Sequence, residues 1–170
     1  IIHQMNPIIN ILLNKMADGN GRTRATASQG IDAFLSAEVI GPAIVAHHVL
    51  KPLDDNQATH HVWRPLVARL QLLRDLVVNY GLNKGSGLDV HDLMEFPKIN
   101  GCFGHSHGEV RDAAKDLTVV VEHLVGSHGI HSYLKLLRPK QLEDYKLAFQ
   151  KYRDAMERGA DNEYQSRKVK

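Results

Sequence analysis

The sequence predicts an all-α fold of stacked helix pairs, and three observations carry that expectation. Apolar residues recur at steps of three and four through most of the 170 residues, the spacing that gathers them on one face of a helix. Sustained apolar/polar alternation, which a half-buried strand requires, is missing, and the run Val119-Val120-Val121 lies inside a longer helical stripe. A short phrase also occurs twice: Arg22-Thr23-Arg24-Ala25-Thr26-Ala27 and Glu109-Val110-Arg111-Asp112-Ala113-Ala114 each follow a turn and carry an arginine and small residues into an apolar stripe. Small residues there permit close helix approach, and repeated pairs of about 40 residues bury their faces only by stacking on neighbours.

Taken in order, Asn6-Pro7 offers a cap followed by proline in a first turn, and Ile8, Ile11, Leu12 and Met16 place a helix from about Pro7 to Met16. The turn cluster Ala17 to Gly21 leads into a second stripe at Ala27, Ile31, Phe34 and Leu35, despite Gly30 within it. A second pair follows, from Val39 to Leu50 and then from Trp63 through Leu66, Val67, Leu70, Leu73 and Val77 to Tyr80, ended by Gly81. Asn83 to Gly87 reads as a polar linker, Leu88 to Ile99 as a short helix that Pro97 kinks or ends, and Gly101 to Gly108 as a connection. Val110, Ala113, Ala114, Leu117, Val121 and Leu124 form one face before Gly126-Ser127-His128-Gly129 breaks it, completing a third pair. After Arg138-Pro139, a stripe at Leu142, Tyr145, Phe149, Tyr152 and Met156 would cap the open end of the stack, and the polar residues beyond it are expected to fray.

Composition narrows the function. With 21 Lys and Arg against 19 Asp and Glu, no dense basic field exists to neutralise a run of phosphates, so nucleic acid is not an expected partner. The one cysteine, Cys102, can form neither an internal disulfide nor a multi-thiolate zinc site, which favours a reducing, cytoplasmic setting. No stretch approaches the roughly 20 apolar residues that span a bilayer, so no membrane partner is expected. The start at Ile1 reads like the tail of a preceding helix, as in a piece of a longer protein.

Candidate chemistry is sparse. His105 and His107 lie near Cys102 and Glu109, and His123, His128 and His131 follow, but none of these sets has a recognised ligand spacing, so no metal or cofactor is assigned. The adjacent pairs His47-His48 and His60-His61 point in different directions on a helix and read as solvent-facing or cap residues. Trp63 shares helical spacing with Leu66, Leu70 and Tyr80 and reads as core. Gly85-Ser86-Gly87 lacks the lysine and spacing of a phosphate loop, and no nucleophile stands beside a recognisable base. The chain reads as a binding scaffold and not an enzyme.

The segment Leu12 to Asp18, followed by Arg24 and Ala27, resembles the HEAT-repeat pattern, in which an acidic loop residue precedes an arginine opening the second helix. The wider order resembles the C-terminal half of a TOG domain, a six-repeat HEAT array that binds tubulin. Gly87-Leu88-Asp89-Val90-His91-Asp92-Leu93-Met94-Glu95-Phe96, His107 through Ala114, and Tyr133-Leu134 to Tyr145 and Phe149 carry that likeness, which is strongest to the ciliary-tip and centrosomal members. The resemblance implies a partial HEAT array over residues 1–156, a polar tail over 157–170, and αβ-tubulin or microtubules as partner, with other ciliary or centrosomal proteins beside them. It also implies a cytoskeletal location at a cilium tip, centrosome or basal body.

Loops within stacked pairs line up along one edge, and TOG domains use that edge for tubulin. Here the edge would comprise Asp18 to Arg22, Asn56 to Arg64 and Gly104 to Arg111, with Asn20, Arg22, His60, Arg64, His105, His107 and Arg111 as candidate contacts. Arg24 and Arg111 also stand where arginines of such repeats pair with acidic loop residues of neighbouring repeats. The alternative is an adaptor of the same architecture that holds another protein or peptide.

Overall fold

The computed structural model describes residues 2–53 and 63–168, with side chains placed for 6–53 and 63–159. Every regular element among them is helical. The first pair is α1 (Ile2–Lys15) and α2 (Gly21–Ser36), the second α3 (Gly41–Leu50) and α4 (Trp63–Tyr80), the third α5 (Val90–Ile99) and α6 (Gly108–Gly129). A 3-10 turn, Cys102–Gly104, lies in the third pair's connection, and α7 (His131–Leu134) and α8 (Pro139–Lys168) close the stack. One layer forms as α1 packs on α3 and α3 on α5; in the other, α4 packs along α6 and α6 along α8. This is the α-solenoid of three helix pairs with a closing helix that the periodicity predicts.

Among the described residues α4 is the inner beam. It touches α1, α3 and α6, so its buried face is wider than one stripe and includes Leu72 and Leu76 beside Leu66, Leu70, Leu73 and Val77. Ala113 and Ala114 of α6, both buried, let that helix approach closely. Burying each such leucine contributes about 1.5–3 kcal/mol against its exposure in the unfolded chain. α8 adds Tyr145 and Phe149, whose rings meet edge-on at 6.2 Å, and is held to α6 by a bidentate pair. Arg153 Nη1 donates to Glu122 Oε1 and Oε2 at 2.9 and 3.0 Å, and Ser127 Oγ donates to Oε1 at 2.7 Å.

Two glycines are explained by close approach. A methyl at Gly30 would meet the Leu12 side chain of α1 at 3.0 Å, which accounts for a glycine inside the α2 stripe. At Gly87 the backbone adopts φ +66 and a Cβ would lie 2.9 Å from Ala43 Cα, so both the turn and its contact with α3 require glycine. The linker holding Gly87 is an ordered turn around buried Ser86, whose hydroxyl donates to the carbonyls of Gly81 and Asn83 at 2.9 Å each.

Several boundaries differ from expectation. α1 begins at Ile2, not Pro7, and Asn6 does not cap it: its Oδ1 lies 3.0 Å from Nε2 of His48 on α3. His48 is buried, contrary to its reading as a surface or cap residue, while adjacent His47 is exposed. Asn10 Oδ1 lies 3.2 Å from the other ring nitrogen of His48, so one imidazole joins α1 to α3. Burial, then Lys51, His47 and Arg69, hold its pKa below the usual histidine value. α6 is interrupted at Gly126, with φ 73, where the Gly-Ser-His-Gly signal places a break. α8 continues to Lys168, so the segment after Met156 is helical and not frayed. No helix among the described residues is long and apolar enough to cross a membrane.

Candidate protein-binding edge

The α1–α2 loop is built by its own polar groups. Asn20 caps α2, its Oδ1 accepting from the amides of Arg22 at 2.9 Å and Thr23 at 3.4 Å. Asp18 Oδ1 accepts from the Asn20 amide at 2.8 Å, which holds the Asp18 carboxyl below its ordinary pKa, with Lys15 and Arg24 adding to the effect. Arg24 Nη1 then donates to the carbonyls of Asp18 at 2.8 Å and Gly19 at 3.0 Å. Arg22, two residues earlier, is exposed, and its guanidinium has no ion-pair or hydrogen-bond partner among the described residues.

The α5–α6 loop repeats this construction in register. Arg111 Nη1 donates to the carbonyls of His105 at 2.5 Å and Ser106 at 2.9 Å, as Arg24 does four residues after its helix cap. His107 occupies the cap position but provides no side-chain cap; its amide donates to Nδ1 of His105 at 3.1 Å. The second pair has its own version, invisible to a fixed-spacing comparison. Arg69 is buried in α4 and donates to the carbonyls of Val49 at 3.0 Å and Lys51 at 2.7 Å. Thus an arginine from the second helix of each pair grips main-chain oxygens of the connection before it or, for Arg69, of the end of α3 and its cap. The bonds of Arg24 and Arg111 go to carbonyls of their own loops, not to acidic side chains of neighbouring repeats.

Between these loops sits the first turn of α4. Trp63 is half-buried: one side packs on the core, and the ring stacks on His107 with centroids 5.0 Å apart and planes 22° apart. Arg64 places its guanidinium 5.1 Å from the Trp63 ring centroid and reaches within 3.8 Å of a Cβ position at Gly19. The chain of contacts Gly19, Arg64, Trp63, His107, His105 therefore crosses all three pairs. An open cleft of about 460 Å³ lies beside it, lined by Gly19 of the first loop, Glu109 of the first turn of α6, and Trp63, Arg64 and Gln71 of α4.

Of the sequence-derived contacts, Arg64 and His107 meet around Trp63, and His105 joins through a ring contact of 5.9 Å. His105 is buried and shapes the loop. Arg22 and Asn20 stand at the first loop, Asn20 occupied as a cap. Arg111 is occupied by loop carbonyls. His60, like the rest of residues 54–62, lies outside the described residues. Trp63 is half-buried against the core, as its spacing predicts, while its stacking on His107 at the loop edge has no signal in that spacing. Arg69 was not singled out, and Glu109 only as a neighbour of the histidines.

As for metal chemistry, Cys102 beside these histidines is fully buried, and burial pushes its thiol pKa up to about 12. The described residues that do cluster with suitable spacing are exposed Asp89, His91 and Asp92. There Asp89 caps α5, accepting from the Asp92 amide at 2.8 Å, at a helix end whose dipole disfavours a cation.

A family model described as centrosomal protein CEP104, TOG domain, matches residues 1–117. No curated protein and no solved structure matches the chain.

Proposed function

Because the chain belongs to the CEP104 TOG-domain family, we propose that it is a tubulin-binding scaffold whose α1–α2 loop, first turn of α4 and α5–α6 loop meet αβ-tubulin or the microtubule as one edge. The family is a helical-repeat binding fold, and nothing in this reading calls for catalysis. A role at a ciliary tip or centrosome belongs to the same proposal. The observation that carries the site is the Arg64, Trp63, His107 stack, which fixes groups from the second and third pairs into one surface beside the first loop.

Each component has a distinct physical part. Trp63 offers a flat, partly desolvated anchor whose order is already established by stacking, which limits the entropy lost on docking. Arg22 and Arg64 supply exposed positive charge, which orients and accelerates encounter with an acidic surface more than it adds net affinity. Arg24, Arg69 and Arg111 support the partner contacts indirectly, by fixing the loops.

Binding of the chain to tubulin by gel-filtration co-elution, and to microtubules by co-sedimentation at low ionic strength, tests this. Trp63→Ala should cost about 2 kcal/mol of binding, as a central aromatic anchor does. Combined Arg22→Glu and Arg64→Glu should slow association and flatten the salt dependence. Undiminished binding by both variants would remove the loop edge as the site, and recovery of another protein with no tubulin would favour the adaptor reading.

A further inference from the structure

On the other side of the α5–α6 loop, a second cleft of about 420 Å³ opens between that loop, the start of α6 and the start of α8. Arg111, Lys115, Arg138 and Lys140 line it against Asp112 and Asp144. Asp112 is already paired with Lys115 at 3.5 Å, whereas Arg138 and Lys140 are exposed and have no ion pair among the described residues. The first turn of α8 adds to this positive field. Its first helical bond runs from the Leu142 amide to the Arg138 carbonyl at 2.8 Å, the preceding amides of Lys140 and Gln141 have no acceptor among the described residues, and the turn holds no acidic residue. Helix N-termini in that condition favour anions.

An independent observation comes from Tyr145. The residue is 2% exposed, its side chain lines the cleft, and its hydroxyl has no hydrogen-bond partner. A buried hydroxyl left unpaired is costly, and burial with Asp112 and Asp116 nearby raises its pKa, keeping it protonated as a donor. Phe103 is also in the lining. Gln141 Nε2 donates to the Phe103 carbonyl at 2.7 Å, which fixes the width of the opening.

We propose that this cleft binds an acidic peptide segment, seating a glutamate side-chain carboxylate between Arg138, Lys140 and the α8 N-terminus, within reach of the Tyr145 hydroxyl. A carboxylate fits better than a free phosphate. The cleft is larger than a phosphate group, its rings suit the methylenes of glutamate, and the wall carboxylates Asp112 and Asp144 oppose a dianion more strongly than a monoanion. The groups that seat the carboxylate, Arg138, Lys140 and Tyr145, are not part of the tubulin edge, although His105 and the loop brace Arg111 also line the cleft, so the two readings can fail separately.

The test is fluorescence anisotropy with the full chain and labelled hexaglutamate amidated at its C-terminus, with hexaglutamine as the uncharged comparison. Hexaglutamate should bind and hexaglutamine should not, and binding should weaken as salt rises. Arg138→Glu with Lys140→Glu should reduce affinity by about tenfold or more, the scale of losing charge-assisted contacts, while Arg22→Glu leaves it unchanged. Tyr145→Phe should reduce affinity severalfold without lowering the melting temperature, which separates a ligand contact from a folding defect. Equal affinity of the double reversal, an unchanged Tyr145→Phe variant, or displacement of the peptide by inorganic phosphate at comparable concentration would each overturn the proposal.

Discussion

Arg153→Ala is expected to destabilise the chain by about 1.5–2.5 kcal/mol, a value that follows from the unequal burial of its pair with Glu122. The Glu122 side chain is 3% exposed and that of Arg153 is 40% exposed. Removing one partner of a fully buried pair costs about 3–5 kcal/mol, because the other charge is stranded. Solvent already reaches the arginine, and Ser127 still donates to Glu122 at 2.7 Å, so roughly half that penalty should remain. Glu122→Gln made in the Arg153→Ala background should recover part of the loss, giving a coupling of at least about 1 kcal/mol in a double-mutant cycle. Urea unfolding at neutral pH, followed by circular dichroism, measures all four corners. A single-mutant loss below about 0.5 kcal/mol, or strictly additive effects, would refute the reasoning.

Three further outcomes follow from the fold. Gly87→Ala should lower the melting temperature more than Gly101→Ala: both have positive φ, but a Cβ at Gly87 lies 2.9 Å from Ala43 Cα whereas none of the atoms around Gly101 comes within 4 Å. Equal losses in thermal unfolding would show that only backbone conformation matters, a cost of about 1–2 kcal/mol at each. For His48, the folded pKa is depressed from 6.5, so the unfolded chain takes up a proton first as pH falls. Stability should therefore decline from about pH 6.5 toward the lower folded value and level off beneath it. In His48→Gln that slope should be flatter, and parallel pH profiles of the two proteins would count against a buried neutral imidazole. Finally, Arg111→Ala should cost only about 1 kcal/mol globally, given its exposure, yet accelerate amide exchange at His107; unchanged exchange there would mean that the arginine does not order the loop.

Helix identity was legible where the apolar spacing is sustained. α4 follows its stripe from Trp63 to Tyr80, and the break in α6 falls at the Gly126 signal. Errors arose where a side chain serves a distant partner. Asn6 reads as a local cap, but His48, 42 positions away, takes its oxygen, and His48 itself looks superficial because a polar residue in a helix carries no mark of what faces it from a neighbouring helix. The site was legible as loops but only partly as side chains. Asn20, Arg22, Arg64, His107 and Arg111 all fall at or beside the connections, while the division between residues that shape a loop and those that face outward depends on carbonyl positions, which have no sequence signature. Arg69 escaped for a related reason: the longer connection before α4 shifts the bracing arginine out of register with Arg24 and Arg111. The closing helix shows the opposite limit, since its polar residues after Met156 lack an apolar stripe yet remain in helix to Lys168, continuing from a well-packed segment.

The way the loops are held also separates shape from wording. Arg24 and Arg111 clasp peptide oxygens, and a peptide oxygen is present whatever side chain its residue bears. Ser106, for example, contributes its carbonyl to Arg111, so exchanging that serine for a charged or aromatic residue leaves the clasp's acceptor in place. Recognition at such positions can be rewritten one residue at a time on an unchanged frame, which gives a repeat scaffold a route to new partners that does not pass through refolding.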